Sequence, residues 1–529
     1  MMHPFLSRAL WWLAVLLVAV GALAFRLPRL DQRPMHGDEA NQAVRTGMLL
    51  DTGVYRYDPN DHHGPSLYFA ALPFCRATAA TFTETTEWNY RLVPVAFAVL
   101  TLLLMTGLVG RDDAGIFTNR CGLFVALLLT AVSPVMVYYS RFFIQETMFV
   151  SFLTGLLLCA VRYVRWRSEM SCGRAGLAGR RSAAWAIGFG AFAGLAAATK
   201  ETVVLSIAAA AVAAVAACGF KRLWNGLRWR DVCLAVGAAA LVAVVLFSSF
   251  FTYPYGVYDA VFSTVKTYFF RATAVPEHQH PWDFYLKTIF WFKYGKGPIW
   301  SEAGLLLPAA IAACWAFFKA RARWVRFVAV YTLVLTAIYS MIPYKTPWCA
   351  LSFLHGYILL AGVGVGDIID WLGRFPKAVR IAGMTVIAVL IGALTWRHSE
   401  QARRACFKYP ADLRNPYVYA HTSVDAMNLV AEIERVAHET NGYDTLIAVA
   451  LPTPDTWPLP WYLRKYRNVG YWTTIEDIPQ GFEPTVVIAA MDQGDVADER
   501  FGAGKRASFF GIRPGVLLNV FVPNGVSSR

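Results

Sequence analysis

The sequence predicts a polytopic α-helical membrane protein of about eleven transmembrane helices that carries a small C-terminal soluble α/β domain. Three observations lead there. Hydrophobic residues make up 57% of the chain and charged residues only 16%, far from globular averages. Apolar runs near the ~20 residues that cross a bilayer recur from the N-terminal end as far as Trp396. Beyond Arg397 they stop, and short amphipathic or β-type segments take their place.

The runs are Ala9–Phe25, Leu92–Gly110, Cys121–Tyr138, Phe142–Val161, Ala183–Ala198 and Thr202–Cys218, then Val232–Phe251, Ala303–Phe318, Val325–Ile342, Trp348–Val365 and Val379–Trp396. The first reads as an uncleaved span because similar runs follow it. A secretory leader cleaved near Ala22-Leu23-Ala24 is the other reading, and both place Arg26 onward outside. The net charge of +14 does not point to nucleic acid, since the basic residues sit between apolar runs and not on one amphipathic face. Nine scattered cysteines with no CxxC pair argue against a disulfide framework or a structural metal.

Orientation follows from the short loops, because Lys and Arg are retained on the cytoplasmic side. Every second loop is basic: Arg111 and Arg120; Arg162 to Arg181; Lys221 to Arg230; Lys319 to Arg326; Arg374 to Arg380. The intervening connections are therefore outside: 26–91, Ser140–Gln145, Lys200–Glu201, 252–302 and Ile342–Pro347. The expected organisation is a transmembrane domain, 1–396, whose outer loops 26–91 and 252–302 carry the chemistry, and an extracytoplasmic α/β domain, 397–529. In that tail Val424–His438 reads as an amphipathic helix, and Thr445–Val449, Val486–Ala490 and Leu517–Val522 as strands. A multi-pass protein of the plasma (inner) membrane is the expected setting.

The polar residues that break the apolar pattern gather on the outer side. Asp38 and Glu39 follow the first span, within His36-Gly37-Asp38-Glu39; a carboxylate there can serve as general base, or the pair can begin a helix. Tyr55, Asp58, His62 and His63 suit sugar or metal binding, or an ordered loop. Arg141 and Glu146 flank the second outer turn, where ionisable groups are either functional or snorkel to water. Lys200 and Lys345 can meet phosphate oxygens or anchor helix ends, and Arg91 and Arg271, with His278 and His280, are further candidates. Acids and cations from distant parts of the chain converge on one side. That suits a lipid-linked phosphate and an incoming hydroxyl.

Asp38-Glu39 after the first span, Arg91-Leu92-Val93-Pro94, Glu146 and Ala198-Thr199-Lys200-Glu201 resemble the GT-C glycosyltransferases, a superfamily that includes protein O-mannosyltransferases, the lipid A aminoarabinose transferase and oligosaccharyltransferase. His36-Gly37-Asp38-Glu39-Ala40, His62-His63-Gly64-Pro65, Tyr344-Lys345-Thr346-Pro347-Trp348 and Trp457-Pro458-Leu459-Pro460-Trp461-Tyr462-Leu463-Arg464 look more narrowly like the prokaryotic "flippase activity-associated" family of archaeal-type N-glycosylation. The resemblance implies a GT-C-like fold. It also implies transfer of a sugar from a polyprenyl-phosphate donor to a lipid, glycan or protein acceptor.

In that reading Asp38 is the base, Glu39 orients the acceptor or shares that role, and Glu146 holds the acceptor or a divalent cation. Lys200, Lys345, Arg141 and Arg91 neutralise the departing phosphate, while His36, Tyr55, Asp58, His62, His63 and Arg271 form an acceptor or sugar loop. A divalent cation, if one takes part, falls to Asp38, Glu146 and His62. Membrane lipids are partners and nucleic acid is not. The alternative is a non-catalytic transporter or flippase-assisting protein for lipid-linked saccharides. Transporters place ionisable groups near the bilayer midplane and show internal repeats, whereas here the charges sit at helix ends.

Overall fold

The computed structural model describes residues 4–59, 63–110, 114–171, 175–264, 266–267, 278–319 and 322–526. The apolar runs all lie in helices: α1 (Pro4–Arg26), α2 (Gly37–Thr52) and α3 (Ser66–Arg76) precede α4 (Glu87–Met105), α5 (Arg120–Val132) and α6 (Pro134–Tyr139). Then come α7 (Glu146–Ser171), α8 (Ala175–Ala197), α9 (Val203–Cys218), α10 (Phe220–Gly226) and α11 (Trp229–Phe247), followed by helices Leu306–Phe318, Arg323–Met341, Leu351–Leu372 and Lys377–Arg403. Among the described residues, seven helices are long and apolar enough to cross a membrane, or eight if α9 and α10, bent by 100°, form one span.

That is fewer full spans than runs, for local reasons. Cys121–Tyr138 is broken where Pro134, lacking an N–H, starts a new helix and Ser133 caps it. Ala303–Phe318 is too short to qualify. The Ala- and Gly-rich α8 gains by contact what it lacks in hydropathy. A Cβ on Gly190 or Gly194 would lie 2.0 Å from the Ala235 carbonyl oxygen or 2.5 Å from that of Ala239, so the two helix backbones touch through a small-xxx-small stripe.

The apolar window of the span Pro347–Leu372 is almost wholly buried and forms the centre of the bundle, whereas Lys377–Lys408 presents no buried residue along its apolar window. That last helix runs on past Trp396 to Arg403. The tail then forms a five-stranded sheet from β1 (Leu446–Ala450), β2 (Asn468–Trp472), β3 (Val486–Ala490), β4 (Lys505–Arg513) and β5 (Val516–Pro523), in the order β2-β1-β3-β5-β4. β1 is parallel to both its neighbours, while β3 and β4 run antiparallel to β5. The amphipathic helix Asp425–Glu439 buries Leu429, Ile433 and Val436 against β1, β3 and β5. The three expected strands are present. β2 and β4 are additional.

One fixed point of the bundle is Glu302, fully buried just before Leu306–Phe318. Ser133 Oγ lies 2.9 Å from each of its oxygens, and the Val135 amide donates at 3.2 Å. Burial pushes its carboxyl up to about 7. A folded-state value above the ordinary one means that stability is fullest below about pH 4.5 and falls as pH rises through about 7. Glu302→Gln should therefore flatten the pH dependence of thermal unfolding in detergent across that window, and an unchanged slope would contradict the assignment.

Candidate functional site

The site is built around one end of the bundle, where the connections 27–36, 82–91, 138–146, 278–302 and 342–348 all meet the tail. His36 makes the N-cap of α2: its Nδ1 accepts from the Asp38 amide at 3.0 Å, and its own amide donates to Glu39 Oε2 at 3.0 Å. Its Nε2–H is left to donate to the Tyr419 carbonyl at 3.0 Å. This cap fixes the helical phase, and so fixes opposite fates for two adjacent acids. Asp38, with its side chain 50% exposed, faces outward, 3.8 Å from the His36 ring nitrogen. Glu39 turns inward and is fully buried.

Glu39 receives five donors. Arg91 grips it in a fork, Nε to Oε1 at 2.9 Å and Nη2 to Oε2 at 3.0 Å. Arg33 adds 2.8 Å to Oε2, the Phe143 amide 2.9 Å to Oε1, and the His36 amide the bond of the cap. Desolvation opposes the charge, but Arg33 and Arg91 outweigh it and hold the carboxyl far below the usual carboxylate range. The remaining Arg91 donors go to the carbonyls of Leu30, Arg33 at 2.9 Å and Pro34 at 3.2 Å. Arg141 likewise bonds the carbonyls of Phe25, Arg26 and Arg29 at 3.2, 2.8 and 2.9 Å. Both guanidiniums are committed to protein groups.

Glu146 opens α7 and forms a buried ion pair with Lys200, which lies 3.6 Å from Cys349 Sγ. Gln42, one turn along α2 from Asp38, donates to Gln145 at 3.1 Å and so ties the two acidic positions together. Lys345 is different. It is 1% exposed, and its ammonium donates to the carbonyls of His280 at 2.9 Å and Ile342 at 2.5 Å. Among the described residues no carboxylate lies within ion-pair distance of it, and burial lowers its pKa.

Tyr419, from the tail, completes this wall: its hydroxyl meets His278 Nδ1 at 2.7 Å and His280 Nε2 at 3.0 Å, and its ring packs near Trp348. Neither it nor His421, which meets the Tyr138 hydroxyl at 2.8 Å, was a sequence candidate. The run Tyr417-Val418-Tyr419-Ala420-His421, close behind the last span, was the available signal.

The other candidates lie to the side of this cluster. Tyr55 is buried, stacked on Tyr68 at 4.6 Å, while Asp58 is exposed. His63 bonds Glu201 at 2.7 Å. Beside it a Cβ on Gly64 would lie 2.3 Å from the Ala198 carbonyl oxygen, so only glycine lets this loop sit against Ala198-Thr199-Lys200. His62 and Arg271 lie outside the described residues. No group of three His, Cys, Asp or Glu residues that could hold a metal stands together among the described residues, and Glu146 is taken by Lys200. Of the expected set Asp38, Glu146 and His62, the last lies outside the described residues.

An apolar cavity of about 590 Å³ starts one turn beneath the Glu146–Lys200–Cys349 cluster, at Val150, Val203 and Ser352. It continues along α9 past Ala210 and Ala214 to Leu223, Arg323 and Trp324.

Helices long enough to cross a membrane, a polar cluster at one end of their bundle and a sheet domain packed against it make up the fold of this chain. The chain shares that fold with two kinds of solved structure. One is ArnT from Cupriavidus metallidurans, seen apo and with undecaprenyl phosphate, at 13% identity, TM-scores of 0.65 and 0.64, and coverage of 99% and 97% of this chain and 100% and 99% of that one. The other is the oligosaccharyltransferase AglB from Archaeoglobus fulgidus, seen with an inhibitory peptide and a dolichol-phosphate, at 11% identity and a TM-score of 0.57, covering 93% of this chain and 70% of that one. No family model and no curated protein matches the sequence.

Glu39→Gln should destabilise the detergent-solubilised protein by about 3–5 kcal/mol, since it leaves two buried guanidiniums without their shared anion. Asp38→Asn, at a half-exposed position, should stay within about 0.5 kcal/mol of wild type. Comparable melting shifts for the two would contradict their assigned environments. Because the Glu39 value is depressed, its contribution is present above the ordinary carboxylate range and is lost only as pH falls below it.

Proposed function

We propose that the protein is a membrane glycosyltransferase that moves a sugar from a polyprenyl-phosphate donor to an acceptor hydroxyl on the outer face of the membrane, with inversion at the anomeric carbon. The observation that carries this is Lys345, a buried cation without a carboxylate partner among the described residues, placed in the chain just before the wall of the apolar cavity. An uncompensated buried charge is costly, and an arriving phosphate removes that cost. The cavity takes the first isoprene units, so that head and tail are bound by adjoining surfaces. Undecaprenyl phosphate bound to ArnT and dolichol-phosphate bound to AglB support a ligand of this class.

In this mechanism Asp38, exposed at the positive end of α2, accepts the proton of the acceptor hydroxyl as its oxygen bonds to the anomeric carbon. The bond to the phosphate oxygen breaks on the opposite face. Lys345 stabilises the charge that develops there, and Lys200 adds a second positive group partly offset by Glu146. Glu39, Arg91 and Arg141 act as positioning residues, because each is already bonded within the protein. In this reading Asp38 is the base and Glu39 the group that holds it in place.

The length of the cavity favours a second reading. It follows α9, whose 16 residues span roughly 24 Å, from one end of the bundle toward the other, as a path for moving lipid-linked saccharides would. Purified protein given labelled polyprenyl-phosphate sugar separates the two. Transfer that falls by about 100-fold or more in Asp38→Asn and in Lys345→Ala is expected. Scrambling of the labelled lipid in liposomes, with no transfer to any acceptor, would establish the transport reading instead.

A further inference from the structure

A second polar pocket lies beside the site, between α2 and the segment that follows α11. It encloses about 390 Å³ and is lined by Arg45, Arg56, Tyr57, Asp58, Tyr253 and Asp259. The segment that brings Tyr253 to it leaves α11 through unusual backbone. Ser249, Phe250 and Phe251 all adopt positive φ, at 49°, 54° and 69°, one after another. Non-glycine residues rarely take up this conformation, and three in succession are held only where surrounding contacts dictate it.

Those contacts are visible: Ser249 Oγ accepts from the Tyr55 amide at 2.9 Å, and the Tyr253 amide returns to the Ser248 carbonyl at 2.8 Å. The result turns the chain sharply out of α11 and delivers Tyr253 to the pocket. The same segment continues into a π-helical turn, Asp259–Ser263, in which Ser263 Oγ bonds Asp259 Oδ1 at 2.9 Å. Such turns are uncommon and concentrate at functional sites.

We infer that this pocket is a saccharide-binding subsite, which takes a neutral sugar ring of the acceptor. The chemistry of the lining selects that class. Two guanidiniums and two carboxylates line it, a mixture of donors and acceptors that suits neighbouring hydroxyls, and the half-buried Tyr253 adds an aromatic ring with a polar edge. A phosphate would meet Asp58 and Asp259, and a metal cation would meet Arg45 and Arg56. A neutral polyol meets neither conflict. The volume falls in the usual range for small-molecule sites.

The pocket is also joined to the reaction centre. Arg45 sits seven residues beyond Asp38 on the same helix, two turns or roughly 10 Å away. The Tyr57 hydroxyl contacts Glu201 Oε1 at 3.4 Å, next in sequence to Lys200, and Thr264 Oγ1 at 2.8 Å. A saccharide seated here directs its neighbouring unit along α2 toward Asp38.

This inference rests on the transferase reading for its purpose but not for its test. Saturation-transfer NMR on the full-length protein in detergent, with neutral gluco-, galacto- and mannotrisaccharides as probes, measures binding without turnover. At least one trisaccharide should bind, and its Kd should rise about tenfold or more in Arg56→Ala and in Tyr253→Ala, with melting unchanged in the exposed Arg56 variant. Asp38→Asn should bind it as wild type does. Binding by none of the three, binding indifferent to both substitutions, or displacement by inorganic phosphate would each overturn the proposal. Transfer that survives Asp38→Asn would instead overturn the assignment of the base and leave the pocket standing.

Discussion

The Glu39 carboxylate is the interaction on which the polar end of this molecule depends. Two arginines and two backbone amides from three separate stretches of chain converge on it: Arg33 and the His36 cap of α2 from the first connection, Arg91 from α4, and Phe143 from the turn before α7. Replacing water around a buried carboxylate requires several strong donors at once. Because the donors come from three different parts of the chain, satisfying one charge fixes their mutual positions. Asp38, Gln42 and Glu146 inherit their places from that arrangement.

Much of this was legible in the sequence. The apolar runs marked their helices, the charge alternation grouped the connections that meet here, and the β-branched runs of β1, β3 and β5 marked the centre of the sheet. β2 escaped because Asn468-Val469-Gly470-Tyr471-Trp472 is a half-exposed edge with a glycine at its middle, which weakens any strand signal. β4 carries Lys505, Arg506 and Gly511 and takes its strand character from pairing with β5.

The site was legible in outline and illegible in phase. Asp38 and Glu39 are neighbours of similar chemistry, and only the His36 cap decides which of them enters the protein. Arg91 and Arg141 read as cations for a ligand because, apart from the Arg91 fork on Glu39, their partners are carbonyls of residues 25 to 34, which have no side-chain signature. The separation of Lys345 from every described carboxylate is likewise a property of three dimensions. Glu201, named in the sequence only as part of the Lys200 turn, and Tyr419 each draw their meaning from partners more than a hundred residues away.

The tail holds Met35 by both of its backbone groups: Tyr462 OH accepts from the amide at 2.8 Å, and Thr422 Oγ1 donates to the carbonyl at 2.6 Å. Trp461 and Arg464 extend the same attachment to Glu87 and Thr85. In modular terms, the sheet domain is therefore not an exchangeable cap. A chimaera joined at the end of the last helix would separate residues 415–464 from the loop they hold in register, so an exchange between related chains must carry both partners. The unit of inheritance at this end of the molecule is a pair of segments some four hundred residues apart, and it crosses the boundary between membrane and soluble halves.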